Sequence, residues 1–453
     1  MHLSFIPSAK KLFCLFLLTL TSFVEAQNPP PPPGEAPALG SYRITQTEIT
    51  NVLTLLEIRR EGRRIFSTPF NKHDGYGDGP NGRPTLQDNG TFLRVDGLDG
   101  QSCLECHGIL SNARIPSKFG VGGVGGGVTN AIGGPTILDP TTGEFNGRFI
   151  NPPFVFGSGG VELLGKEMTL NLQELKLKAQ ANPGVVFQLT THGVNFGALV
   201  YDNGHFDYSR IEGIDEDLVV RPFGRKGDFI TTRQFDQGAM EFHFGIQPED
   251  IVGNFDDDQD GYVDELTIGE MSALAIFNTT SERPVQSPII GYNGYQLFIN
   301  SGCADCHKPF LDTRSRILPY SFPEDEQDPT ANVFYKVDLT ASPTNFQAVG
   351  RGIRVPLFAD LKRHDMGPGL AENTGDPDKD PVFTTARLWG LADTAPYLHD
   401  GRALTITEAI LAHGGEAQTA RNNFANLSDQ DTVALLQFLR SLRTPDSVGT
   451  DLD

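Results

Sequence analysis

The 453-residue chain holds one tryptophan, five methionines and five cysteines. So few cysteines cannot build the disulfide lattice of a small secreted scaffold. Basic side chains are also short: 36 Lys and Arg stand against 57 Asp and Glu, a net charge of −21. A nucleic-acid partner, whose phosphates need a basic surface, is therefore excluded. Beyond residue 26 no apolar run approaches the ~20 residues that cross a bilayer, so no membrane span is expected. Glycine and proline are plentiful, 50 and 31, which implies long ordered loops. With 38% hydrophobic and 21% charged residues the chain is globular, and its length implies two or three domains.

Residues 1–26 read as an export leader. Lys10 and Lys11 precede an apolar run over 12–24, and Val24-Glu25-Ala26 resembles a small-residue cleavage site. Cys14 lies inside that run and leaves with it. The protein is expected in the periplasm or otherwise exported, soluble after cleavage. Residues 27–40 form a Pro-rich tether.

The four remaining cysteines sit in two identical frames, Cys103-Leu104-Glu105-Cys106-His107 and Cys303-Ala304-Asp305-Cys306-His307. This is the attachment signature of c-type haem. Two intervening residues let both sulfurs reach the vinyl-derived carbons of one porphyrin edge, and the next histidine supplies the proximal nitrogen. A dithiol, zinc or disulfide reading does not explain the histidine or its repetition. Two covalently bound haems are expected.

Around the motifs the sequence predicts a mainly α chain, two cytochrome c-type domains with long irregular loops. The second, 285–445, opens on an apolar helical turn, Gly294-Tyr295-Gln296-Leu297-Phe298, and closes on a helix capped by Ser428. Residues 446–453 are a tail. The first domain, 41–284, expands the same plan. A helix over 47–66 ends in Gly62-Arg63-Arg64-Ile65-Phe66, and 36 residues then separate Phe66 from Cys103, where the second domain needs four. Residues 120–127, nearly all glycine, are either a surface loop or a close backbone approach. Residues 161–180 and 231–245 read as helices, and a helix over 268–277 closes the domain.

Ahead of that closing helix, Asp256, Asp258, Asp260 and Asp264 stand at positions 1, 3, 5 and 9 of an EF-hand-like frame, with Gly261 at position 6. Thr267 replaces the glutamate of position 12. A calcium ion is expected there, since clustered carboxylates repel unless a cation joins them.

The residue opposite each proximal histidine decides function. In the second domain the candidates are Met366, His364, His399 and His413. His413 ends a short helix and is followed by Gly414-Gly415.

The run from Leu388-Trp389-Gly390 to Tyr397-Leu398-His399-Asp400-Gly401, followed by His413-Gly414-Gly415-Glu416-Ala417, resembles the di-haem oxidoreductase family. His364-Asp365-Met366-Gly367-Pro368 and residues 260–267 fit the same family. The resemblance spans roughly 60–445 and extends to bacterial di-haem cytochrome c peroxidases, the di-haem enzyme of methylamine utilisation and haem rubber oxygenases. In the peroxidases the distal methionine of the electron-transfer haem lies fourteen places after the histidine of this segment; fourteen places after His399 is His413. The resemblance thus implies His307 and His413 as ligands of haem 2, with Met366 the rival. His399 is expected to make a structural hydrogen bond near the haem edge.

The peroxidases that the chain resembles often carry a distal histidine shortly after the first motif; here none follows His107 until His192, so the resemblance to the methylamine-utilisation and rubber-cleaving relatives implies an open haem 1. Its lining is sought in residues 231–245, where Gln237 and Glu241 share a helix face. Glu241 is the expected proton shuttle, Arg233 the stabiliser of developing charge, and His243 an acid/base or sixth ligand. The competing reading is an amphipathic helix facing water. The only tryptophan, Trp389, lies in the second half, so the relay tryptophan of the peroxidases' first domain is missing or replaced.

The expected activity is reduction of hydrogen peroxide at haem 1, with electrons passing through haem 2 from a small carrier such as a basic cytochrome c. The alternatives are a high-valent-iron oxidase or oxygenase, with hydrogen peroxide or oxygen as oxidant, and a plain electron-transfer cytochrome.

Overall fold

A computed structural model describes residues 34–77, 100–109, 127–131, 147–287, 293–372 and 376–445, with 449 and 452. The leader, residues 27–33 of the tether, the 446–453 tail apart from 449 and 452, and residues 120–126 lie outside the described residues.

Six of the described α-helices begin where a side chain satisfies a first-turn backbone N–H. Thr45 caps α1, Gln46–Asn51, and Thr54 caps α2, Leu55–Ser67, each in a capping box with a glutamate three residues on. The helix expected over 47–66 is therefore two, because Thr54 turns the chain and starts afresh. There follow α3, Ser158–Ala181, and α4, Thr232–Ala239, which runs on as a wider turn over Met240–Phe244. Next come α5, Glu249–Val252, and α6, Ile268–Thr279, boxed by Thr267 and Glu270. The second half adds α7, Asn293–Asn300, α8, Ile406–Ala412, α9, Gln418–Ala425, and α10, Asp429–Leu439, the last capped by Ser428.

Two helix pairs are built alike. Gly62 of α2 packs on α6 so closely that a Cβ there would stand 2.2 Å from the Ala273 carbonyl oxygen and 2.4 Å from the Phe277 Cβ. Gly294 of α7 meets α10 in the same way, 2.2 Å from the Ala434 carbonyl oxygen and 2.9 Å from the Phe438 Cβ. One turn further, Phe66 meets Phe277 and Phe298 meets Phe438, ring centres 5.6 and 5.3 Å apart. In each pair the glycine-bearing helix precedes its cysteine motif and the partner helix follows it.

The mainly helical expectation is met only in part. Among the described residues six small antiparallel sheets lie between the helices. The three-stranded one, Val186–Thr191, Val194–Asp202 and His205–Asp207, turns at His192-Gly193 and Asn203-Gly204, all four with positive φ. Such two-residue turns match the strand twist, and Asn-Gly is their strongest sequence signal.

Buried side chains form two clusters. One gathers α2, α3 and α6, and takes in Leu318, Val337, Ile353 and Val355 from beyond the second motif. The other holds Phe298, Phe358, Phe424, Leu435 and Phe438. The strands after His307 thus pack on the first half of the chain. No helix of the described residues is long and apolar enough to cross a membrane.

Candidate functional site

All four cysteines of the two motifs are free of disulfides. Burial pushes the Cys303 thiol up to about 11 and raises that of Cys103 further, so both are neutral.

At the first motif, Gln101 donates its N–H to Glu105 Oε2, closing the turn that leads into Glu105–Ile109. His107 Nδ1 lies 2.7 Å from the Pro153 carbonyl oxygen. A carbonyl only accepts, so Nδ1 carries the proton and Nε2 presents its lone pair. Burial pushes the His107 pKa down to about 4, against the Pro153 carbonyl and with the help of nearby His243. The Phe66 ring stands 6.1 Å away.

The second motif repeats the device. His307 donates Nδ1–H to the Phe358 carbonyl at 3.0 Å, and burial with neighbouring His413 lowers its pKa to about 4. His413, at the end of α8, donates Nδ1–H to the Ala409 carbonyl at 2.8 Å. The two imidazole centres are 6.4 Å apart. Two nitrogens sharing one metal at about 2 Å each, with ring centres roughly 1 Å further out, place those centres about 6 Å apart. The residues therefore fit a metal held from both sides, with both outer nitrogens oriented by carbonyls.

The Met366 carbonyl lies against Gly414, and its N–H is bonded to the Pro381 carbonyl. His399 stacks on Phe383 at 4.4 Å. Its backbone carbonyl accepts from the Asn151 N–H, while Asn151 Nδ2 donates to the carbonyls of Pro396 and Leu398. Two residues on, Pro153 holds His107. One short segment thus ties the first motif's histidine to the second half.

The α4 residues divide. Arg233 is buried, and its guanidinium grips both Asp250 oxygens at 2.7 and 2.9 Å, Ser272 Oγ and the Ile268 carbonyl. Gln237 Nε2 donates to the same Asp250. Arg233 is thus held in the core, which corrects its expected place as a stabiliser at the open site, while Gln237 is half-buried beside the same carboxylate. Glu241 is exposed, and His243 packs edge-on against Phe242 at 5.0 Å.

In the acidic loop, oxygens of Asp256, Asp258 and Asp260 lie within 4.8 Å of one another. Burial, then Asp258 and Asp256, hold the Asp260 carboxyl up at about 6, against the Tyr262 N–H. Asp264 stands outside this group, with Oδ1 buried and unpaired. Thr267 caps α6 and donates to the Ile44 carbonyl.

His364, a candidate ligand from the sequence, sits in a cluster that the sequence did not announce. His364 bridges Asp360 at 3.0 Å and Glu416 at 2.8 Å, with Cys306 Sγ 4.0 Å away. Burial opposes its charge, but these partners hold the pKa up at about 11. The motif containing His364 was visible in the sequence; the pairing with Asp360 and Glu416 was not.

Residues 338–442 match the family model described as "Di-haem oxidoreductase, putative peroxidase". No curated protein matches the chain. Among solved structures the chain is similar to a hydrazine synthase of Kuenenia stuttgartiensis, at 14% identity over 89% of this chain and 96% of that one, TM-score 0.34. It is also similar to a MauG-like protein associated with microbial copper homeostasis, at 17% identity over 92% and 95%, TM-score 0.36.

Proposed function

We propose that this chain, similar over residues 338–442 to the di-haem oxidoreductases, is an exported c-type enzyme that reduces hydrogen peroxide at the first motif with electrons entering at the second. The observation carrying this reading is the pairing at the second motif: His307 faces a second imidazole, His413, at 6.4 Å, while at the first motif the Phe66 ring stands 6.1 Å from His107 and His243 lies near enough to help lower the His107 pKa. A metal closed by two protein nitrogens exchanges electrons; one bound by a single nitrogen keeps a position for substrate.

Haem, when bound, supplies the redox-active iron at both places. The chain's own residues do the rest. The cysteine pairs anchor it, and Pro153 and Phe358 orient the proximal rings. His413 closes the second site. Each hydrogen peroxide takes up two electrons and two protons to give two waters, and Glu241 and His243 are the proposed carriers of those protons. Calcium is proposed at Asp256, Asp258 and Asp260, with Asp264 as the candidate fourth donor. The net charge of −21 suits a small basic electron carrier.

The test is peroxide-dependent oxidation of a reduced basic cytochrome c by the two-haem protein, with electron paramagnetic resonance of the oxidised form. Turnover and one high-spin signal support the reading. Two low-spin signals without turnover reduce the protein to an electron carrier. The lack of any histidine between His107 and His192 favours a second reading, oxidation of an organic or protein substrate. Consumption of such a substrate with peroxide, without carrier-dependent turnover, would select it.

A further inference from the structure

Among the described residues the deeply placed cations Arg233 and Lys166 meet anions, Asp250 and Glu162, and the half-buried Arg225 meets Glu372. Arg387 does not. Its Nη1 is sealed from solvent with no hydrogen-bond partner, and its Cζ stands 5.8 Å from the centre of the Phe223 ring. Burial alone pulls its pKa down to about 10. A half-buried guanidinium with one nitrogen sealed from water and no counter-charge is costly to hold.

Two residues on, Trp389 is buried with its indole Nε1 also unpartnered. Residues 385–388 run without helix between Val382–Thr384 and Leu391–Asp393. In an extended chain alternate side chains share a side. Here Leu388 packs with the second hydrophobic cluster and Trp389 with the first, where it meets Gly157 and Phe346. Arg387, over Phe223 of that first cluster, takes the Trp389 side. Two orphaned donors thus stand at the junction of the two halves. The preceding residue, Ala386, brings its backbone within hydrogen-bonding reach of His307.

We infer that Arg387 and the Trp389 indole N–H bind the propionate carboxylates of the haem held by Cys303, Cys306 and His307. A haem anchored through its vinyl-derived carbons keeps two carboxylates at its far edge, the anionic acceptors these two donors lack. The inference rests on the two-haem reading above.

The experiment uses the purified holoprotein. Haem content per chain comes first: the absence of covalent haem from the second motif in the wild type overturns the two-haem reading itself. With both haems present, the potentials of the two sites are titrated spectroelectrochemically in Arg387→Met, Arg387→Lys and Trp389→Phe. Removing a positive charge beside the carboxylate favours the oxidised form, so Arg387→Met is expected to lower the potential of the second site and leave that of the first. Arg387→Lys should recover most of the shift. Trp389→Phe keeps the ring and removes the donor, so it should lower the same potential less, with an altered propionate bending band in resonance Raman. If Arg387→Met does not fold, Trp389→Phe decides. Two retained haems with an unmoved second potential and unchanged bending band overturn the inference.

Discussion

Gly62 lies under the Ala273 carbonyl oxygen so tightly that an added Cβ would stand 2.2 Å from it. Gly294 has the same relation to Ala434. Both contacts are to backbone, which cannot rotate away as a side-chain tip can. Gly62→Ala and Gly294→Ala are each expected to destabilise the protein by about 1–3 kcal/mol through overpacking. Thermal unfolding of the two variants measures this, and a gain in melting temperature from either would refute the close crossing.

Closure of the second site by His413 predicts that His413→Ala turns its haem high-spin. Met366→Leu should leave that spectrum unchanged. The reverse pattern would make Met366 the ligand.

Arg233 and Glu241 should separate stability from turnover. Arg233→Met leaves Asp250, whose side chain is 0% exposed, as an uncompensated buried charge, a loss of about 3–5 kcal/mol. Glu241→Gln should melt like the wild type while peroxide turnover falls by about 100-fold. Melting curves beside turnover assays distinguish the two roles.

The acidic loop predicts one calcium ion per chain. The double change Asp256→Asn with Asp258→Asn should abolish it in elemental analysis. A chelator should then lower the melting temperature of the wild type only. Equal calcium in both proteins would remove the assignment.

Glu324 adds a pH dependence. Burial holds its carboxyl up at about 7 despite Lys166, above the usual 4.5. A carboxyl with a higher pKa folded than unfolded binds its proton more tightly in the native state. Its contribution is complete below about pH 4.5 and lost as pH rises through about 7. Stability should fall across that window, and less steeply in Glu324→Gln; identical slopes would count against the buried carboxyl.

Local chemistry made much of this legible. Ser428, the helix over 268–277 and the turn at 294–298 were read from caps and apolar spacing, because those signals act within a few residues. The strands were missed although Asn203-Gly204 announces a hairpin, since glycine abundance was read as loop. The position of Arg233 in the core had no local sign. Its partner Asp250 is seventeen residues away, and a charged residue on an amphipathic helix reads as solvent-facing until its neighbour is known.

The sequence alone determined the two cysteine–histidine frames and the acidic loop, because their chemistry lies within one short stretch of chain. Tertiary structure decided what stands opposite each frame. It brought His413 to within 6.4 Å of His307 across more than a hundred residues, tied Pro153 to His107, and left Arg387 without an anion. Those relations depend on how separate helices and strands cross, and no spacing along one chain encodes that distance.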